Sequence, residues 1–171
     1  KNALSETSEL GAEFDDMLAN IIHLPQAKPQ ITRERKRSIE LDGKSFELPR
    51  AIQRYADKTG SWSKLVGKLW QAPVDLGDMG VANFIYMEKG GRVPEHTHKG
   101  SEFTLVINGE FSDGIANYDS GDFIALDGEH THAPMSEADE GCLVFSIVEK
   151  PLHFTSGIAR LLNPFSHLFF K

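Results

Sequence analysis

The feature that most constrains the fold is a long succession of short apolar runs, which starts near residue 38 and continues to about residue 148. Nine of these runs have the residue types of β-strands. They are Ser38–Leu41, Ser45–Glu47, Gly67–Ala72, Ala82–Glu88, Glu102–Ile107, Gly109–Asp113, Ile115–Tyr118, Asp122–Leu126 and Leu143–Val148. Turn-forming pairs separate several of them, at Gly90-Gly91, Asn108-Gly109, Ser120-Gly121 and Asp127-Gly128. Many short strands at such spacing predict an all-β fold, an antiparallel sandwich or barrel.

The N-terminal segment has the pattern of an amphipathic α-helix over residues 8–24. Its apolar residues recur three and four positions apart, at Leu10, Phe14, Met17, Leu18 and Ile21. Pro25 ends the helix, and a short linker follows. We therefore expect residues 1–30 to form a helix plus linker and residues 31–171 to form the β domain. Because an isolated helix of this length is marginal in water, it needs an apolar partner. We expect it to dock on its own β domain or on a second copy in a homodimer.

Two other stretches have helical or mixed character. Ala51–Lys58 is expected to be a short helix or irregular, and the apolar end Ile158–Lys171 is expected to form a short helical tail. Three histidines, His23, His153 and His167, fall on the predicted helix and tail. We expect these three histidines to be surface residues, or core residues with hydrogen-bonding partners, rather than metal ligands.

Composition excludes several function classes. The 171-residue chain carries a formal net charge of −7, and an acidic chain repels phosphates, so we expect no direct DNA binding. The basic run Arg33–Arg37 is short and contains a glutamate, which favours a solvated linker. No apolar run reaches the roughly 18 residues that span a bilayer, and no secretory signal is visible. We therefore expect a cytoplasmic protein without a membrane segment. The single cysteine, Cys142, begins an apolar run and is expected to be a buried strand residue rather than a redox reporter.

Histidines and one glutamate are concentrated between residues 96 and 132. The numbers of His96, His98 and Glu102 share one parity, so on extended chain their side chains point to one face. Two imidazoles and a carboxylate inside a barrel are costly without compensation. A bound divalent metal would offset this cost. The mixture of imidazole and carboxylate ligands suits zinc, iron, nickel or manganese. A fourth ligand is expected from another strand, and the spacing allows either His130 or His132.

The same residues resemble a known family. The stretch fits the cupin pattern G-x5-H-x-H-x3-E-x6-G without a gap, through Gly90, His96, His98, Glu102 and Gly109. The second cupin motif begins at Gly121 and departs from its usual form, because Asp127-Gly128 stands where Pro-x-Gly is expected. The chain thus looks like a cupin, a jelly-roll-like double-stranded β-barrel, over roughly residues 38–155.

A narrower resemblance rests on several further runs. They are Gly60-Ser61-Trp62, Thr131-His132-Ala133-Pro134, Gly141-Cys142-Leu143-Val144, Pro151-Leu152-His153-Phe154-Thr155-Ser156-Gly157 and Arg160-Leu161-Leu162. These runs are similar to the C-terminal cupin domain of ChrR-type anti-sigma factors. In that family the histidine just before the x-Pro step is a metal ligand, so the resemblance implies His132 rather than His130. The implied site is His96, His98, Glu102 and His132 around one divalent metal, with zinc the first expectation.

The same resemblance implies a function and a partner. Members of this family begin with a helical zinc-binding anti-sigma domain that carries His-x3-Cys-x2-Cys, a motif that this sequence lacks. Residues 1–30 therefore resemble a remnant of that domain, its last helix and a linker. The implied role is a metal-binding sensor in transcription regulation and stress response. It would control an extracytoplasmic-function sigma factor, held by the missing domain, in response to reactive oxygen or another signal.

The alternative is a metal-dependent cupin enzyme such as a dioxygenase. An enzyme needs an open metal position and positioned acid–base or substrate-binding groups. The polar residues that could serve are Tyr86, Arg92, Glu95, Thr104 and Tyr118. Spacing singles out none of them, so no catalytic residue is predicted. A third interpretation is a structural barrel that the metal stabilises and that senses nothing.

Overall fold

A computed structural model describes residues 14–23, 36–65, 67–77, 80–150, 152–157 and 160. The chain divides into two compact units, Lys1–Arg35 and Lys36–Lys171. In the first unit, residues 14–23 form an α-helix, α1, which confirms this part of the predicted helix. The remainder of residues 8–24 lies outside the described residues, and so does the predicted helical tail apart from residue 160.

The apolar face of α1 is exposed to solvent. Its large apolar side chains are between 44% and 68% exposed, at Phe14, Met17, Leu18, Ile21 and Ile22. The expected docking of this face on the β domain or on a second copy stays a prediction.

The described residues of the second unit form short β-strands and a 3-10 helix, Gln53–Lys58, which occupies the stretch predicted to be helical or irregular. In chain order the strands are β1 (Ser38–Leu41), β2 (Lys44–Glu47), β3 (Ser63–Lys64), β4 (Leu69–Val74), β5 (Val81–Met87), β6 (Gly91–Arg92), β7 (His96–Thr97), β8 (Glu102–Asn108), β9 (Glu110–Ser112), β10 (Asn117–Asp119), β11 (Phe123–Leu126), β12 (Thr131–His132), β13 (Met135–Ser136), β14 (Cys142–Val148) and β15 (His153–Phe154).

The strands form three sheets and a separate hairpin. The strand orders are β11-β8-β14-β5-β4-β3, β10-β9-β13-β6 and β12-β7-β15, and the hairpin is β1-β2. Every pairing between these strands is antiparallel. The predicted all-β class is thereby confirmed.

The central strands of the six-stranded sheet, β14 and β5, are buried on both faces. On one face, Phe84 and Phe145 pack beneath the β1-β2 hairpin and the 3-10 helix, and Tyr55 stacks on Phe145 with 5.7 Å between ring centroids. On the other face, Val106 and Val144 join residues of the four-stranded sheet such as Phe111. This second face is the inside of the barrel, and the metal-ligand candidates lie there.

Sequence patterns missed the shortest strands. Six strands have two residues each, namely β3, β6, β7, β12, β13 and β15. Two residues are too few to show an alternating pattern, so the position of such a strand depends on its partner across the sheet. His153 is an example. It was expected on the helical tail, but it lies on β15 opposite Thr97 of β7.

The turn between β8 and β9 requires glycine. Gly109 has a φ of +79°, a backbone region that side chains with a Cβ rarely adopt. A Cβ at this position would also overlap the carbonyl oxygen of Gly141. This close approach of two turns explains why Asn108-Gly109 marks the start of a new strand.

Among the described residues, no helix is long and apolar enough to cross a membrane.

Candidate metal centre

Three neighbouring strands bring the four predicted ligands together. His96 lies on β7, and His132 on β12 is its direct cross-strand partner. His98 follows β7, the chain bends at residues 99 and 100, and Glu102 begins β8. The side chains of His96, His98, Glu102 and His132 place their ligand atoms within 4.8 Å of one another. The parity argument therefore holds across the small bend.

The ligand atoms of this cluster are slightly closer together than those of groups that share one ion. His132 Nε2 lies 3.0 Å from the Nε2 atoms of both His98 and His96. Glu102 Oε2 lies 2.7 Å from His98 Nε2 and 3.5 Å from His132 Nε2. Four ligands that are about 2.0–2.2 Å from one tetrahedral ion are separated from each other by roughly 3.3–3.6 Å. The observed spacing thus needs only small adjustments to accept a metal.

The polar atoms of the cluster are buried and incompletely satisfied. His96, His98 and His132 are each 5% exposed or less. Within the described part of the chain, Glu102 Oε2 accepts no hydrogen bond of normal geometry, although His98 Nε2 lies close to it. A buried carboxylate oxygen without a donor is costly. A cation held between the carboxylate and the imidazoles would remove that cost, so the residues present fit a divalent metal.

A backbone contact orients His96 toward the cluster. Its Nδ1 lies 2.8 Å from the carbonyl oxygen of Pro94, to which it donates a hydrogen bond. The Nε2 atom then carries the lone pair that faces the other ligands. Burial, with a further contribution from His132, lowers the pKa of His96 from 6.5 to about 4. At neutral pH the ring is therefore uncharged and ready to act as a ligand.

Two hydroxyl groups hold the carboxylate of Glu102. Thr104 Oγ1 and Ser146 Oγ donate hydrogen bonds to its Oε1, at 2.9 Å and 3.1 Å. Burial raises the pKa of Glu102, but the neighbouring imidazoles of His132 and His98 lower it by more, so the net shift is downward. The carboxylate is ionised, with Oε1 anchored and Oε2 aimed at the imidazoles.

The structure separates the two histidines that spacing alone left equivalent. His132 has a side chain that is 4% exposed and points into the cluster. His130 has a side chain that is 48% exposed and contacts Asp127, with 2.7 Å between Nδ1 and Oδ1. The choice of His132 that the family resemblance implied agrees with this placement.

Sequence reasoning missed one buried carboxylate beside the cluster. Asp113 is 2% exposed, and its Oδ1 accepts hydrogen bonds from the backbone N–H groups of Ile115 and Ala116. Its Oδ2 accepts a hydrogen bond from the Tyr118 hydroxyl and lies 4.0 Å from His132 Nδ1. A carboxylate behind a histidine ligand commonly orients the ring. Its signal in the sequence is weak, because an Asp-Gly pair also marks an ordinary turn.

The cluster opens onto a cavity of about 70 Å³ inside the barrel. Of the polar residues considered for an enzyme, Thr104 and Tyr118 line this cavity. Tyr86 belongs to the core on the opposite face of the sheet, Glu95 accepts a hydrogen bond from Thr155 at the surface, and Arg92 is exposed. These five side chains therefore do not surround one common point at which a substrate could react.

Cys142 has the environment of a structural residue. It is fully buried at the first position of β14, and burial raises the pKa of its thiol to about 12. A thiol in that state is a poor nucleophile. The expectation of a buried strand residue is confirmed.

Comparison with known proteins places the chain in a family. The family model described as "ChrR Cupin-like domain" matches residues 53–150. The anti-sigma-E factor ChrR of Cereibacter sphaeroides is 33% identical over 123 residues, which cover 68% of this chain and 58% of that protein. The chain thus spans less than two thirds of the length of this relative.

Two solved structures are similar in fold. The crystal structure of Rhodobacter sphaeroides SigE in complex with the anti-sigma ChrR matches with a TM-score of 0.54 and 29% identity, over 58% of this chain and 56% of the matched chain. An RmlC-like cupin protein from Ralstonia eutropha JMP134 matches with a TM-score of 0.51 and 16% identity, over 58% of this chain and 69% of that chain, which supports the cupin fold alone. The barrel, its motif residues and the match over residues 53–150 lead to one conclusion: the chain belongs to the ChrR cupin-like domain family.

Proposed function

We propose that this chain is the metal-binding regulatory domain of an anti-sigma factor. It binds one divalent metal through His96, His98, Glu102 and His132. The observation that supports this most strongly is the buried convergence of three imidazoles and one carboxylate, with all ligand atoms within 4.8 Å. Their cross-strand placement needs no rearrangement of the sheet, which favours a permanent site over an accidental surface cluster.

Zinc is the metal that we propose. Four protein ligands of nitrogen and oxygen type suit tetrahedral Zn²⁺, and a full set of four protein ligands is typical of structural zinc sites. Iron, nickel and manganese accept the same ligand types and are the competing metals. Elemental analysis of protein purified without added metal distinguishes them.

The partner that we propose is an extracytoplasmic-function sigma factor in the cytoplasm. The support comes from the relatives, one of which is named an anti-sigma-E factor and one of which was solved in complex with SigE. We propose that a segment other than this barrel holds the sigma factor, because the sequence lacks His-x3-Cys-x2-Cys. The barrel would report reactive oxygen or another signal, without direct contact to DNA or a membrane.

A homodimer through α1 remains a prediction, which the solution mass of a variant lacking residues 1–25 tests.

The experiment that tests this proposal compares the full-length protein encoded by the gene with its His98→Ala variant. Both are tested for sigma-factor binding before and after exposure to a reactive oxygen species such as hydrogen peroxide. We expect both proteins to bind the sigma factor at rest, and only the metal-loaded wild type to release it. The His130→Ala variant is the control, because His130 lies outside the cluster, and it should behave as the wild type. Equal release by His98→Ala would contradict a regulatory role of the metal site.

One observation favours the enzymatic alternative, namely that the cluster borders an internal cavity. A dioxygenase of this kind would consume oxygen in the presence of iron and an organic substrate. Oxygen uptake by the iron-loaded chain, lost in Glu102→Gln, would support the alternative. Sigma-factor release without oxygen uptake would support the regulatory proposal.

A further inference from the structure

Two carboxylates, those of Glu102 and Asp113, are found among the described residues that line the interior of the barrel. Glu102 is a proposed metal ligand, whereas Asp113 is 2% exposed and is not part of the ligand cluster. No lysine or arginine is found among the described lining residues. Because a buried carboxylate is costly unless a positive charge lies close to it, the charge of Asp113 needs an explanation.

Hydrogen bonds hold the side chain of Asp113 in one orientation. Its Oδ1 accepts hydrogen bonds from the backbone N–H groups of Ile115 and Ala116, both at 2.8 Å. Its Oδ2 accepts a hydrogen bond from the Tyr118 hydroxyl at 3.0 Å. A carboxylate oxygen has two lone pairs, so Oδ2 can accept one more hydrogen bond.

The backbone fixes the position of Asp113 relative to His132. Ala133, which follows His132, donates its N–H to the carbonyl oxygen of Asp113 at 3.1 Å. The neighbouring residues Ser112 and Met135 are partners in the pairing of β9 with β13. The closeness of the two side chains therefore follows from strand pairing and does not depend on a mobile surface contact.

The ring of His132 has one nitrogen that the proposed metal site does not use. Its Nε2 faces the other ligands, whereas its Nδ1 is buried and has no hydrogen-bonding partner within the described part of the chain. Asp113 Oδ2 lies 4.0 Å from this Nδ1. An imidazole that binds a metal through Nε2 carries its hydrogen on Nδ1, and a buried N–H group without an acceptor is costly.

We propose that Asp113 is the positioning residue for His132, and that its Oδ2 accepts the Nδ1 hydrogen of His132 in the zinc-loaded protein. The distance of 4.0 Å exceeds that of a hydrogen bond by about 1 Å, and a small rotation of the His132 ring closes this gap. The contact also balances charge, because one divalent ion and the two carboxylates of Glu102 and Asp113 are neutral together when the imidazoles are uncharged. This inference rests on the proposed function and adds to it the group that orients one ligand.

The matched variants that test the proposal are Asp113→Asn and Asp127→Asn. Each replaces a carboxylate close to a histidine Nδ1, and Asp127 contacts His130 at the surface, with 2.7 Å between Oδ1 and Nδ1. Zinc affinity is measured in the chain of 171 residues by competition with a chromophoric chelator. Asp113→Asn should bind zinc about 10- to 100-fold more weakly, because the ring of its ligand is no longer held. Asp127→Asn should differ from the wild type by less than about threefold.

NMR of the zinc-loaded protein with ¹⁵N-labelled histidine provides a readout that a merely structural role of Asp113 would not change. The Nδ1 hydrogen of His132 should resonate downfield and exchange slowly with water, because a carboxylate accepts it. In Asp113→Asn it should move upfield and exchange faster. The Nδ1 hydrogen of His96, which is donated to the carbonyl oxygen of Pro94, should stay unchanged and is the internal control. If Asp113→Asn does not fold, a nuclear Overhauser contact between the His132 Nδ1 hydrogen and the Asp113 Cβ hydrogens in the wild type supports the proposal, and its absence overturns it.

Three further results would overturn the proposal. They are wild-type zinc affinity in a folded Asp113→Asn variant, an equal loss of affinity in Asp127→Asn, and an unchanged resonance of the His132 Nδ1 hydrogen in Asp113→Asn. When the wild type binds zinc, each of these results removes only the role of Asp113 and leaves the metal site in place. A wild type that takes up no zinc would instead overturn the metal site itself, and the role of Asp113 with it.

Discussion

Replacing one histidine of the His130-Thr131-His132 run should remove the metal, and replacing the other should not. The two side chains differ in burial, since that of His132 is 4% exposed and that of His130 is 48% exposed. His132 Nε2 contacts the Nε2 atoms of His96 and His98 at 3.0 Å. His132→Ala therefore deletes a proposed ligand, while His130→Ala deletes a surface contact with Asp127.

The size of the effect follows from the number of ligands. Binding of structural zinc is worth about 10–16 kcal/mol in small zinc-binding peptides. Shared among four ligands, this is roughly 2.5–4 kcal/mol for each, and about 1.4 kcal/mol corresponds to a factor of ten. His132→Ala should therefore weaken zinc binding by about 10²- to 10³-fold. His130→Ala should change zinc affinity by less than about threefold, because His130 lies outside the cluster and its exposed contact with Asp127 contributes little.

The assay is competition for zinc with a chromophoric chelator, combined with thermal unfolding. Zinc should raise the melting temperature of the wild type and of His130→Ala, and it should have little effect on His132→Ala, since ligands stabilise the state that binds them. Equal loss of zinc in both variants, or unchanged affinity in His132→Ala, would refute the assignment of ligands.

Three further predictions concern the barrel itself. In metal-free protein, the pKa of His96 is about 4 when folded and 6.5 when unfolded. As the pH falls below 6.5, the unfolded chain binds the proton first, so the free energy of unfolding is largest above pH 6.5 and falls by roughly 3 kcal/mol between pH 6.5 and pH 4. Urea unfolding at several pH values measures this, and a flat free energy across that window would be inconsistent with a neutral buried His96. Gly109→Ala should destabilise the chain by roughly 3 kcal/mol or more, because it combines a left-handed backbone with overlap on Gly141; a melting temperature equal to that of the wild type would show that the turn relaxes freely. Phe84→Ala should cost about 3–5 kcal/mol, because Phe84 is fully buried and packs on Phe145, and a loss below 1 kcal/mol in chemical unfolding would contradict this packing.

Local periodicity explains why part of the site was predictable. His96, His98 and Glu102 lie within seven consecutive residues, so the two-residue repeat of extended chain decided their common direction. The bend at residues 99 and 100 did not break that direction. The longer strands β5, β8 and β14 were found because each is a run of seven residues rich in β-branched and aromatic side chains.

Long-range pairing explains what the residues alone could not decide. His130 and His132 have equal parity, and the register of β12 against β7, which sets His132 opposite His96, separates them. The family resemblance supplied that choice before the structure did. Asp113 was missed because its closeness to His132 depends on a contact between distant segments.

The central claim is that three imidazoles and one carboxylate hold a single divalent metal inside this barrel. The direct test is metal analysis of protein purified without added metal, followed by X-ray absorption at the edge of the metal found. The account predicts about one metal per chain, with three imidazole nitrogens and one carboxylate oxygen at about 2.0–2.2 Å. A protein that contains no metal and takes up no added zinc, or a spectrum without imidazole scattering, would contradict it.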